Sequence, residues 1–172
     1  ITFITFLIGC IAIAGIPPFS GFFSKDAILL AVYIKNPVLY GVALFGALLT
    51  AFYMFRLLFI TFSGSFRGTE EQKHHVHESP APMTIPLIIL AALSIVGGLI
   101  GIPEVLMKGG DKFTEFLSPV VTNLEGPPVS HSTEYILMAV STGLVVLTII
   151  FAWFQFRNYQ QKEVTGFGKV LE

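Results

Sequence analysis

Long apolar segments separated by shorter polar ones dominate the sequence and restrict what the chain can fold into. About 20 apolar residues in a helix cross the roughly 30 Å hydrocarbon core of a bilayer. Segments 1–34, 37–62, 83–102 and 134–156 reach that length. Only 12% of the residues are charged, about half the share in soluble domains. The sequence therefore predicts an all-α fold of transmembrane helices that cross the membrane several times.

The first apolar segment is too long for one straight span and is interrupted at Pro17 and Pro18. Each proline lacks a backbone N–H and clashes with the preceding helical turn. We predict that residues 15–19 are non-helical and join two half-helices. Such a break is tolerated at membrane depth only where it is buried in protein or lines a wet cavity.

The distribution of lysine and arginine predicts the orientation of the chain. With four spans, loop 63–82 and tail 157–172 lie on one side, and loop 103–133 lies on the other. The first side carries Arg67, Lys73, Arg157, Lys162 and Lys169, and the other carries Lys35, Lys108 and Lys112. We therefore predict that loop 63–82 and tail 157–172 are cytoplasmic and that loop 103–133 is external.

Lys25 and Asp26 follow the proline break within the apolar run. An ammonium group at mid-bilayer costs at least about 2.5–3.5 kcal/mol, so intramembrane charges usually serve a function. Lys25 lies about nine residues from the end of its span, roughly 14 Å along a helix. We predict that Lys25 takes up and releases a proton and that Asp26, about 100° further round the helix, supports it. The alternative is a lysine that snorkels to the interface.

Three polar residues of the second span, Thr50, Tyr53 and Arg56, are further candidate site residues. Arg56 is about one and a half turns from the predicted cytoplasmic end, from where its guanidinium can reach the interface. Thr50 and Tyr53 lie deeper and are candidates to extend a hydrogen-bonded water path. The same two side chains equally suit ordinary contacts between helices.

The sequence contains no motif typical of a metal or redox site. His74, His75 and His77 lie in the loop before the third span, without a cysteine or a second well-spaced ligand pair. We predict a solvated loop there and no bound metal. No Gly-rich dinucleotide loop, cysteine cluster or haem motif occurs, and no basic stripe suggests nucleic acid.

Residues 15–29, which contain the proline break and Lys25, resemble the broken helix in the second inverted repeat of the antiporter-like membrane subunits of respiratory complex I. Residues 49–56 and 77–87 are similar to the helices that follow in that family. The run from Glu78 to Leu87 is closer to the subunit L branch than to the related monovalent cation/proton antiporters. The resemblance implies that Lys25 is the ionisable residue of the second half-channel and that Asp26 is its acidic neighbour.

The resemblance implies a C-terminal portion of the family's fold, without the first repeat and the lateral helix. Residues 1–62 would hold the broken helix and the next span, and residues 83–156 two further spans. The tail 157–172 would lead to the missing lateral helix. Because the chain opens on Ile1 with no basic region before its first apolar run, we expect an internal segment of a longer protein.

The function implied is that of a proton-translocating membrane-arm subunit of NADH–quinone oxidoreductase, which couples quinone reduction to proton pumping. NADH, FMN, iron–sulfur clusters and quinone would be bound by other subunits. Its partners would be the other membrane subunits and the lipid of the bacterial inner membrane. Two alternatives remain open: a subunit of a monovalent cation/proton antiporter, and a structural membrane anchor in which Lys25 is merely tolerated.

Overall fold

The computed structural model describes residues 1–66, 68–103, 106–107, 109–120 and 130–157. Within these ranges the chain is helical, and the only β pairing is an isolated bridge between Gly101 and Asp111. The helices are α1 (Thr2–Ala14), α2 (Ser20–Lys35), α3 (Pro37–Phe62), α4 (Glu70–His75), α5 (Ala81–Val96), α6 (Lys112–Leu117) and α7 (His131–Phe156), with a 3₁₀ turn at Gly97–Ile100 after α5. The predicted all-α fold is confirmed.

In the described part of the chain, three helical segments are long and apolar enough to cross a membrane: Pro37–Phe62, Ala81–Ile100 and His131–Phe156. The first has the predicted bounds. The last begins three residues before the predicted position 134, because the Ser130 hydroxyl caps it by accepting a hydrogen bond from the Thr133 amide at 3.3 Å. The remaining predicted span is the broken pair, α1 and α2.

The predicted helix break is confirmed at residues 15–19. Gly15 ends α1 in the left-handed conformation, with φ +82°. Its amide donates to the Ala12 carbonyl at 3.1 Å, and the Ile16 amide donates to the Ile11 carbonyl at 3.3 Å, which satisfies carbonyls that the helix end would leave free. Phe19 is extended and precedes α2. The chain therefore enters α2 as a new helix with its own N-terminus.

The core of the described part lies where α3 packs against α1 and α7. Its buried members are small, aliphatic or aromatic: Cys10, Ala14, Ala51, Phe55, Leu58, Phe59, Val145 and Ala152. Both half-helices pack on α3, but α1 also packs extensively on α5, whereas α2 contacts the 3₁₀ turn and makes smaller contacts with α5 and α7. The two also touch directly at Gly21, where an added Cβ would overlap the Ala12 carbonyl.

The loop between α3 and α5 returns to the start of α1. The Glu78 carboxylate accepts hydrogen bonds from the Thr2 hydroxyl and, at 3.1 Å, from the Thr2 amide. A carboxylate at a helix N-terminus satisfies free amides and interacts favourably with the helix dipole. The start of α1, the loop and the start of α5 therefore lie at one end of the bundle.

Several residues used in the orientation prediction lie outside the described ranges: Arg67, Lys108, Lys162 and Lys169. The same holds for residues 121–129 of the predicted external loop and for all but the first residue of the predicted tail 157–172. The sidedness of the loops and the predicted domain bounds therefore stay predictions.

Candidate functional site

The candidate site surrounds the amine of Lys25, five residues after the start of α2. This Nζ atom is buried and makes no hydrogen bond within the described part of the chain. A buried polar group without a partner is rare in folded proteins, and such a group calls for an explanation.

The lysine side chain reaches this position by lying across the helix break. A Cβ added to Gly15 would stand 3.0 Å from Lys25 Cδ, so the lysine stem occupies the space that any other residue would fill. The left-handed φ of Gly15 is also a conformation that residues with a Cβ rarely adopt. Gly15 is therefore needed for two reasons: it adopts the left-handed turn, and it leaves space for the lysine side chain.

The depth of Lys25 can be read from its neighbours. It lines a small cavity with Leu44 of α3 and Ser141 of α7. These two residues lie seven and ten residues from the starts of their helices, which is about 10–15 Å at helical rise. That is close to half of the roughly 30 Å hydrocarbon core. The amine is thus buried between helices, well inside the ends of α3 and α7.

Asp26 lies beside Lys25 at the same small cavity and also lines a larger groove. No ion pair joins the two residues in the described ranges, as expected for neighbours about 100° apart on a helix. Asp26 is 6% exposed and lines a groove of about 940 Å³ that also contains Asp111 and Glu134. The charges of Asp26 and Glu134 are close enough to interact. The groove lies at the end of the bundle predicted to be external.

The remaining candidates on α3 are not brought to Lys25. The Thr50 hydroxyl donates to the Gly46 carbonyl of its own helix at 2.9 Å, and Tyr53 is 52% exposed. The Arg56 guanidinium lies 5.5 Å from the centre of the Phe156 ring, a cation–π contact. None of the three lines the cavity beside Lys25.

His74, His75 and His77 lie at the end of the bundle opposite the acidic groove, whereas His131 lines that groove. His74 and His75 end α4, and His77 Nδ1 is 3.1 Å from the Glu78 carbonyl oxygen. The described residues contain no group of three or more His, Cys, Asp or Glu side chains that could hold a metal ion.

Two polar residues of α7 approach the site without having been predicted from the sequence. Ser141 lines the cavity beside Lys25, and Glu134 lines the groove beside Asp26. Glu134 could have been found from the sequence, because it is a charged residue at the start of an apolar segment. Ser141 was harder to find, because hydroxyl side chains are common in transmembrane helices and usually bond their own backbone.

Comparison with known proteins settles the family. The sequence profile described as "NADH:quinone oxidoreductase/Mrp antiporter, TM" matches residues 1–51, which include the break, Lys25 and Asp26. A NAD(P)H-quinone oxidoreductase chain 5 of Picosynechococcus is 42% identical over 87% of the chain. A subunit L of NADH-quinone oxidoreductase from Mycobacterium tuberculosis is 41% identical over 85%. The chain belongs to the subunit L/chain 5 family.

The match to the subunit L/chain 5 family extends beyond the profile to the later helices. A relative from the Paulinella chromatophora chromatophore, named NAD(P)H-quinone oxidoreductase subunit 5, is 38% identical over 89% of the chain. The chain spans about a quarter of the length of these relatives: 25% of the Picosynechococcus protein, 26% of the Paulinella protein and 23% of the Mycobacterium protein. It is a partial member of the subunit L/chain 5 family and a membrane subunit.

Proposed function

We propose that this chain is part of a proton-translocating membrane subunit of NADH–quinone oxidoreductase and that Lys25 is a proton-transfer site within it. The observation that carries the proposal is the amine of Lys25, which is buried beside a helix break and has no hydrogen-bond partner among the described residues. A group with a removable proton, enclosed there at a considerable free-energy cost, is typical of proton pathways in pumps.

The polar surroundings support a path from Lys25 towards the external side. Asp26 lines both the small cavity at Lys25 and the large acidic groove. Its carboxylate is therefore suited to receive a proton that leaves the lysine and to pass it to water in the groove. Glu134 and Asp111 make the potential of this groove negative, which favours protons over anions. Thr50, Tyr53 and Arg56 are not part of this proposed path.

The chemistry that drives the transfer would belong to other subunits. NADH, FMN, iron–sulfur clusters and quinone would be bound elsewhere in the complex, and neighbouring membrane subunits would be the partners of this chain. The relatives are named as subunits of quinone oxidoreductases, which supports this assignment. The proposed location is the bacterial inner membrane.

Replacing Lys25 by Ala tests the proposal. The substitution removes a costly charge, so the helix should still insert. Proton pumping and NADH oxidation are measured together in membranes that contain the assembled complex. We expect fewer protons pumped per electron, with electron transfer to quinone at least partly retained. Lys35→Ala is the matched control, because Lys35 lies exposed at the end of the same helix. Equal pumping in Lys25→Ala and wild type would refute the role of Lys25.

A second candidate function is that of a monovalent cation/proton antiporter subunit, since the matching profile also covers Mrp antiporters. The names of the relatives favour the oxidoreductase. Proton movement that requires a sodium gradient and does not respond to NADH would favour the antiporter. Unchanged transport of any kind in Lys25→Ala would favour a structural anchor.

A further inference from the structure

A small cavity of about 20 Å³ lies beside Lys25, between the end of α1 and helices α2, α3 and α7. Among the residues that line it are Gly15, Lys25, Asp26, Leu44, Ser141 and Val145. A site of at least about 10–15 Å³ with two or more polar partners is sufficient for one water molecule. The cavity therefore has room for one water and no larger ligand.

Ser141 lines this cavity, and the hydrogen bond that its hydroxyl already makes determines how the hydroxyl can act there. The residue is 8% exposed, and its hydroxyl donates to the Met138 carbonyl at 3.0 Å. Because the only hydroxyl hydrogen is used in that bond, the oxygen can act towards the cavity only as an acceptor. The ammonium form of Lys25 is its complement, since it has three donors and no acceptor.

We propose that Ser141 is a positioning residue for Lys25 and that it acts through one water molecule held in this cavity. The water accepts a hydrogen bond from Lys25 Nζ and donates one to Ser141 Oγ, which leaves its second hydrogen for the Asp26 carboxylate. This arrangement satisfies the buried amine and fixes its direction. It also ties α7 to the broken helix. The inference rests on the proposed proton-transfer role of Lys25.

The test compares two substitutions of the same shape, Ser141→Thr and Ser141→Val. Threonine keeps the hydroxyl and valine lacks it, so any difference between them reports on the hydrogen bond. Protons pumped per electron are measured in membranes that contain the assembled complex. We expect the valine variant to fall towards the Lys25→Ala value and the threonine variant to stay near wild type. Thr148→Val is the control, because it removes an α7 hydroxyl that bonds the Leu144 carbonyl at 2.8 Å and does not line the cavity.

A double variant sharpens the test. If Ser141 acts through Lys25, then Lys25→Ala with Ser141→Val should pump no worse than Lys25→Ala alone, because coupled residues are not additive. A purely structural serine would instead add a second loss, which would overturn the inference. So would equal losses in the threonine and valine variants.

Different experimental results would overturn the inference and the proposed function. Wild-type pumping in Ser141→Val beside reduced pumping in Lys25→Ala overturns the role of Ser141 alone. Wild-type pumping in Lys25→Ala overturns the proposed function and the inference with it. If the valine variant does not assemble, Ser141→Ala replaces it, since alanine is smaller than serine and cannot clash. A loss with alanine that threonine does not share then supports the inference, and no loss overturns it.

Discussion

At the scale of single residues, Gly15 decides whether Lys25 can occupy its site. Its left-handed backbone conformation costs a residue with a Cβ roughly 1–2 kcal/mol. The added methyl group would also stand 3.0 Å from the lysine stem, which is tighter than an ordinary van der Waals contact. A substitution at Gly15 therefore has two separate effects, backbone strain and displacement of the lysine, and a control variant can distinguish them.

We predict that Gly15→Ala lowers the number of protons pumped per electron, because it displaces the lysine as well as straining the turn. Gly64→Ala is the control, since Gly64 has φ +89° and no Lys25 atom nearby. Both variants should lose about the same stability, measured as heat inactivation of NADH oxidation in membranes. Equal pumping in the two variants would show that displacement of the lysine has no effect.

The sequence was sufficient to find Lys25 and Asp26, because charges stand out within an apolar run. It was not sufficient for their surroundings. Ser141 is 116 positions after Lys25 in the chain, and no periodicity within one helix indicates which distant helix will pack against it. The same limit applies to Thr50 and Tyr53, whose polarity made them candidates although the fold directs them away from the cavity.

At the scale of helices, the break brings α1 and α2 into close contact. Gly21, one residue into α2, lies against the Ala12 carbonyl with no room for a Cβ. The prolines predicted the break because a missing donor and a clash act locally. The contact at Gly21 could not be predicted, since it depends on the angle at which the chain leaves the break.

We predict that Gly21→Ala disrupts assembly, because its Cβ would overlap backbone that cannot move without distorting α1. The amount of complete complex in detergent-solubilised membranes is the measurement. Gly9→Ala, on α1, is the control, since a Cβ there meets nothing within 4 Å in the described part of the chain. Normal assembly of Gly21→Ala would mean that the helices separate more easily than this packing indicates.

At the scale of the whole molecule, the bond from Glu78 to Thr2 fixes which ends of the helices lie together. It places the start of α1 beside loop 63–82, and α6 belongs to the opposite end. The orientation of this arrangement in the membrane was predicted only from a count of basic residues, several of which lie outside the described ranges. The sidedness therefore needs a direct measurement.

We predict that a cysteine at position 74 reacts with a membrane-impermeant thiol reagent only from the cytoplasmic side. A cysteine at position 112 should react only from the external side. His74→Cys and Lys112→Cys are compared in intact cells and inverted vesicles. The native Cys10 is 0% exposed and serves as a silent background, which the unsubstituted chain verifies. Labelling of both positions from the same side would contradict the described bundle.

The break in the first span also has a mechanical consequence. An unbroken helix distributes bending along its length through its ladder of hydrogen bonds, whereas here that ladder is interrupted between Ala14 and Ser20. Both half-helices rest on α3, but α1 packs extensively on α5, whereas α2 also contacts the 3₁₀ turn and α7. Any movement of α5 relative to α7 is therefore concentrated in residues 15–19, where no helical hydrogen bonds resist bending. Because the Lys25 side chain crosses the break, even a small movement of this kind would shift the position of its amine.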